Sequence, residues 1–98
     1  MSNHPILLRV QHHENNHSWI EVPIGDLRRF GLADQISYFS YVGNGVVFLE
    51  EELDAFLYKR AVEEAGLALS FTPKYYPAEA FIRSLPRYRQ QFQHANNT

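Results

Sequence analysis

Short apolar runs alternate with polar, turn-forming ones along this chain, and the period of each run predicts its element. Ile6 to Val10, after Pro5, is an apolar run that predicts a strand. Gln11 to His17 (QHHENNH) is polar and predicts a loose hairpin loop. From Ser18 to Val22, Trp19 and Glu21 alternate with Ile20 and Val22, as in a half-buried strand, and Pro23 stops the run. Ile24 to Phe30 predicts a short helix with Ile24, Leu27 and Phe30 on one face, Arg28 and Arg29 near its C-terminus, and Gly31 just past its end.

Ile36 to Leu57 reads as strand, tight turn, strand and helix with no slack. Ile36 to Val42 has apolar atoms on both faces and predicts a central strand. Gly43-Asn44-Gly45 supplies a hairpin turn, and Val46 to Leu49 returns. Glu50, Glu51 and Glu52 then open a helix predicted to run to about Ala65, with Leu53, Phe56, Leu57 and Ala61 as its apolar stripe and Gly66 as its cap. Leu67 to Thr72 alternates as a further strand, and Ala78 to Leu85, between Pro77 and Pro86, predicts a last short helix. The element order is β-β-α-β-β-α-β-α. It implies an α+β fold: a single domain over 1–89, a mostly antiparallel sheet of four to five strands, helices on one face, and a flexible C-terminal tail over 90–98.

Composition narrows the function classes. The 98 residues suffice for one modest core, with 45% apolar and 14% aromatic residues. There is no Cys, which excludes disulfides and thiolate metal sites and fits a reducing compartment. No apolar run approaches about 18 residues, and MSNHPILLRV lacks the features of a signal peptide, so a cytoplasmic protein without a membrane association is expected. The net charge of −2 is uneven, with −5 over residues 1–72 and +3 over 73–98.

His13-Glu14-Asn15-Asn16-His17 matches H-E-x-x-H by letter. A zinc hydrolase needs that motif on a helix, which puts both His on one face with the Glu beside the metal. Asn15-Asn16 suits a turn instead, so His12, His13 and His17 are read as loop residues, with no metal or cofactor expected. Glu50, Glu51, Glu52 and Asp54 form an acidic knot that offsets the helix dipole and can also dock a basic partner, with Tyr38, Tyr41 and Tyr75 as aromatic anchors. Lys74, Arg83, Arg87 and Arg89, interleaved with aromatics, are an alternative surface for nucleic acid, although four cations are few for that purpose. No Ser/His/Asp arrangement, phosphate loop or dinucleotide fingerprint is present.

His17-x-Trp19-Ile20-x-Val22-Pro23, then Ile36-Ser37-x-Phe39-Ser40-Tyr41, Leu49-Glu50-Glu51 and Phe81-Ile82-Arg83 through Tyr88 together resemble small accessory proteins of plasmids, phages and integrated mobile elements. The resemblance spans about residues 17–88 and carries no catalytic residues. It implies a setting in which anti-CRISPR and anti-restriction proteins work as stoichiometric binders. The leading expectation is therefore a non-enzymatic inhibitor that binds a host defence protein or ribonucleoprotein, such as a CRISPR effector, in the host bacterial cytoplasm. The alternative is a small nucleic-acid-binding regulator using the basic C-terminal segment, and the third reading is a zinc-dependent hydrolase on HENNH. A homodimer through an exposed strand edge is compatible with all three.

Overall fold

Two hairpins and one helical crossover build the sheet. The computed structural model describes residues 4–88, so Arg89 and the expected tail at 90–98 lie outside the described residues. The first hairpin joins β1 (Ile6–Glu14) to β2 (His17–Pro23) through the two-residue turn Asn15-Asn16. The short helix α1 (Ile24–Arg29) follows at once. The second hairpin joins β3 (Tyr41–Gly43) to β4 (Val46–Glu50). Its turn has φ of 55° at Asn44 and 81° at Gly45, the two positive values that a primed hairpin turn requires. Helix α2 (Asp54–Glu64) then crosses the sheet to β5 (Ala68–Tyr75).

The strand order is β3-β4-β2-β1-β5. Three pairings are antiparallel, and β5 pairs with β1 in parallel, so the sheet of this single α+β domain is mixed. The parallel pair follows from the crossover: α2 carries the chain over β2 and β1 to the far edge instead of returning it beside β4. Both helices pack on one face. That core is built from Ile20, Val22, Leu27, Ile36, Val47, Leu49, Ala55, Tyr58 and Val62. On the opposite face a smaller core of Trp19, Tyr41, Phe48, Ala80 and Ile82 lies under residues 76–88. No helix among the described residues is long and apolar enough to cross a membrane.

Four local expectations are corrected. Ile36 to Val42 is not a central strand; only Tyr41–Gly43 pairs, at the end of the sheet, because Ser37 and Ser40 turn inward to bond Asp54. Glu50 belongs to β4 opposite Trp19, so α2 begins at Asp54. The last helix contracts to a single 3-10 turn, Phe81–Ser84, since Pro77 and Pro86 leave it little length and the amide of Ala80 is drawn to Glu14 at 2.6 Å. The segment Gln11–Glu14 continues β1 instead of forming a loop.

The two sheet edges differ. Residues 86–88 run antiparallel beside β3, with the Val42 amide donating to the Pro86 carbonyl and the Tyr88 amide to the Ser40 carbonyl, both at 2.9 Å. That edge is closed by the chain itself. At β5 no described segment covers the outer side.

Two buried polar assemblies lock the helices to the sheet. Arg9 of β1 donates to Asp26 of α1 at 2.7 Å, and the Tyr58 hydroxyl of α2 donates to the same carboxylate at 2.6 Å. Burial and the bond to Asp26 push the Tyr58 phenol up to about 12. Asp54, fully buried, accepts bonds from the Ser37 amide and from both the Ser37 and Ser40 hydroxyls. No buried side-chain polar atom among the described residues lacks a partner, which is the condition for such groups to hold a core together instead of weakening it.

Candidate functional site

The richest surface lies where the N-terminus of α2 meets the turn at residues 37–40. The Asp54 carboxylate fixes this junction, with hydrogen bonds of 2.7 Å to Ser37 and 2.6 Å to Ser40, and the Ser40 hydroxyl in turn accepts the Glu50 amide at 3.0 Å. Held this way, the turn points Tyr38 and Phe39 outward, 54% and 50% exposed, with their rings stacked at 4.8 Å. Leu53 and Phe56 stand on the adjoining turn of α2, 50% and 57% exposed. Residues three apart are neighbours on a helix surface, and Leu53 already has helical dihedrals (φ −96°, ψ −59°) and accepts the Leu57 amide.

Next to these four side chains runs a groove of about 460 Å³ whose lining includes Trp19, Tyr41, Glu50, Glu51, Arg83 and Arg87. Its floor is aromatic and its rims carry opposite charges. On the acidic rim, Glu51 and Glu52 are exposed. Glu51 accepts the Ser18 hydroxyl at 2.5 Å, and Glu50 accepts the Leu53 amide at 3.1 Å, which shapes the turn that replaces the expected helix start. On the basic rim, the Arg87 guanidinium lies 4.6 Å from the Tyr41 ring and donates to the Tyr38 carbonyl. Arg83 lies 5.5 Å from the Trp19 ring and is ion-paired with Glu14. Its guanidinium, helped by the Ala80 amide, holds the Glu14 carboxyl below the usual range, against the opposing effect of burial.

The candidate residues read from the sequence are thus divided. Glu50, Glu51, Glu52 and Tyr38 do converge here. Asp54 and Tyr41 are buried: Asp54 holds the turn at residues 37–40, and Tyr41 floors the groove. Tyr75 is exposed at the β5 edge, where it stacks on His13 at 5.0 Å, four strand spacings or about 19 Å from β3. The basic set does not form one patch either. Lys74 sits on that same distant edge over Tyr76, Arg83 and Arg87 share the groove with the glutamates, and Arg89 lies outside the described residues.

The HENNH segment is a hairpin tip. Glu14 pairs across the strands with His17, and His13 with Ser18. Alternation along strands puts His13 and His17 on opposite faces of the sheet, and Glu14 is engaged by Arg83 and Ala80. His12 is buried between Glu21 and Tyr76, its two ring nitrogens each 2.8 Å from one of them. No group of three or more His, Asp or Glu side chains suited to a metal occurs among the described residues.

Compared with protein-family models, curated proteins and solved structures, the chain finds no match.

Phe39, Leu53 and Phe56 are the surface residues that sequence reasoning assigned elsewhere. The apolar periodicity predicts a stripe of Leu53, Phe56, Leu57 and Ala61; Leu57 and Ala61 do pack against the core, partly buried, whereas the fully buried face is Asp54, Ala55, Tyr58 and Val62. A signal for it exists: Ala55, Tyr58 and Val62 recur at i, i+3 and i+7.

Proposed function

We propose that this chain is a non-enzymatic binding protein of a mobile element that docks on a host defence complex, such as a CRISPR effector, and blocks it. The observation that carries the reading is the cluster of Tyr38 and Phe39, on a turn held by a buried carboxylate, with Leu53 and Phe56 at the adjoining start of α2, each half exposed or more. Large apolar side chains left in water side by side, on a rigid support and with a charged rim, are the anatomy of a protein-binding hot spot. Rigidity matters because a preorganised turn does not have to be ordered on binding. The glutamates at 51 and 52 select for a partner whose rim is basic, as the nucleic-acid channel of a defence ribonucleoprotein is. The resemblance to mobile-element accessory proteins supplies the setting.

The test is relief of interference in cells carrying a defence system, paired with binding of the purified complex across a salt series. Phe39→Ala and Phe56→Ala should each weaken binding by about tenfold or more while moving stability by less than about 0.5 kcal/mol. Glu51→Lys with Glu52→Lys should slow association and flatten its salt dependence. Full interference by every defence system tested in the presence of the wild-type chain refutes the proposal.

A further inference from the structure

We propose that the outer edge of β5 is the contact of a two-fold homodimer, in which two copies pair antiparallel about Ser70 into one continuous ten-stranded sheet. The hydrogen-bond pattern gives the register. The Ala68 amide donates to the Pro5 carbonyl and the Tyr76 amide to the His13 carbonyl, both at 2.9 Å, so even-numbered residues of β5 bond inward to β1. Leu69, Phe71, Pro73 and Tyr75 therefore direct their backbone groups outward. With Ser70 on the axis, Leu69 faces the second copy's Phe71, and Phe71 its Leu69. These two pairs exchange four hydrogen bonds and use every free amide of the two residues. The next facing pair is Leu67 with Pro73. The Leu67 amide already donates to the Val62 carbonyl at 3.1 Å and proline has none, so pairing stops there without stranding a donor.

Side chains and charge fit the same register. Leu69 and Phe71 point to the helix-covered face and line a groove of about 440 Å³ between β5 and α2, together with Val62, Leu67, Lys59 and Glu63. In the dimer the two Leu69-Phe71 pairs form one apolar stripe across the axis. Lys59 lies 5.5 Å from the Phe71 ring, and Glu63 is one helical turn further along α2. Because the second copy runs in the opposite sense, its Glu63 comes to face Lys59, and the exchange is reciprocal. The opposite edge is closed by residues 86–88, so pairing ends at two copies instead of growing into a filament.

Sedimentation equilibrium of the purified chain at about 100 µM tests this. The expected mass is twice the 11.4 kDa of one chain. Ser70→Asp sets two carboxylates opposite each other on the axis and should yield a folded monomer, with folding checked by circular dichroism. Lys59→Glu should weaken the dimer by about tenfold or more, and adding Glu63→Lys should restore it. A wild-type chain that stays monomeric overturns the proposal, as does a dimer that Ser70→Asp and Lys59→Glu both leave intact. Neither result touches the patch at Tyr38 and Phe39, which lies beyond the other edge.

Discussion

Replacing Asp54 by Asn tests whether one buried carboxylate holds the turn that carries Tyr38 and Phe39. Asp54 has no exposed surface and its Oδ2 accepts the Ser37 hydroxyl at 2.7 Å and the Ser40 hydroxyl at 2.6 Å, while both oxygens share the Ser37 amide at 3.1 Å. Asn keeps one acceptor oxygen and turns an NH2 group toward donors. The Ser40 hydroxyl already accepts the Glu50 amide, so its own proton needs Asp54. Bonds to a charged acceptor contribute about 1.5–3 kcal/mol each, and a buried donor left without an acceptor costs about 1–3 kcal/mol. Asp54→Asn should therefore cost about 2–3 kcal/mol. In a domain of this size that lowers the thermal midpoint by about 10–20 °C. Thermal unfolding followed by circular dichroism measures it, and a double-mutant cycle with Ser40→Ala isolates the pair, with an expected coupling of at least about 1 kcal/mol. Amide exchange at Ser37 and Ser40 should quicken in the same variant. A variant within about 0.5 kcal/mol of the parent, or strict additivity with Ser40→Ala, refutes this account of the junction.

Two pH predictions follow from the other anchored groups. The Arg83 bond lowers the Glu14 carboxyl below its ordinary 4.5, so the stability it contributes is present above pH 4.5 and lost as pH falls through the folded value. Fluorescence of Trp19, on which Arg83 stacks, should report release of residues 76–88 in acid, and Glu14→Gln should flatten that titration; coincident curves for the two proteins refute it. Tyr58, buried and bonded to Asp26, is raised from 10.0 to about 12, so its contribution is complete below pH 10 and is lost as pH rises through about 12. Tyr58→Phe should cost about 1–2 kcal/mol at neutral pH and remove this part of the alkaline loss, and an unchanged stability profile between pH 10 and 12 refutes the assignment.

Local periodicity made much of the fold legible. The β1–β2 and β3–β4 hairpins, α1 and the Gly66 end of α2 fall where alternation, Asn-Gly and Gly caps indicate. What it could not carry is pairing over long range. The parallel β1–β5 ladder joins residues 62 apart in sequence, and nothing in ALSFTPKY says whether it returns beside β4 or crosses to β1. The 37–40 turn was illegible for a different reason. Ile36 to Val42 has strand composition, and it is a tertiary bond from Ser37 and Ser40 to Asp54 that bends it. Propensity of that kind yields readily to context.

The phase of α2 links the fold to the proposed surface. The stripe of Leu53, Phe56, Leu57 and Ala61 and the buried face of Asp54, Ala55, Tyr58 and Val62 point roughly 140° apart around the helix, with Leu57 and Ala61 partly buried between them. Burying Leu53 and Phe56 would be worth about 1.5–3 kcal/mol each, but that rotation would expose Ala55, Tyr58 and Val62, which are now buried. The observed phase satisfies two polar assemblies: Asp54 with Ser37 and Ser40, and Tyr58 with Asp26 and Arg9. Asp54 and Tyr58 are four apart, so one rotation of the helix satisfies both at once. Rotating to the apolar phase would withdraw the acceptor from two inward-facing serines and the phenol from the Arg9–Asp26 pair. At about 1–3 kcal/mol for each stranded group and about 1.5–3 kcal/mol for each charge-assisted bond, that outweighs the gain. Leu53 and Phe56 are left in water because the buried polar groups fix the rotation of α2. The exposed patch is thus a consequence of how the core is satisfied, and substitutions at Asp54 or Tyr58 should disturb binding as well as stability, without either residue touching a partner.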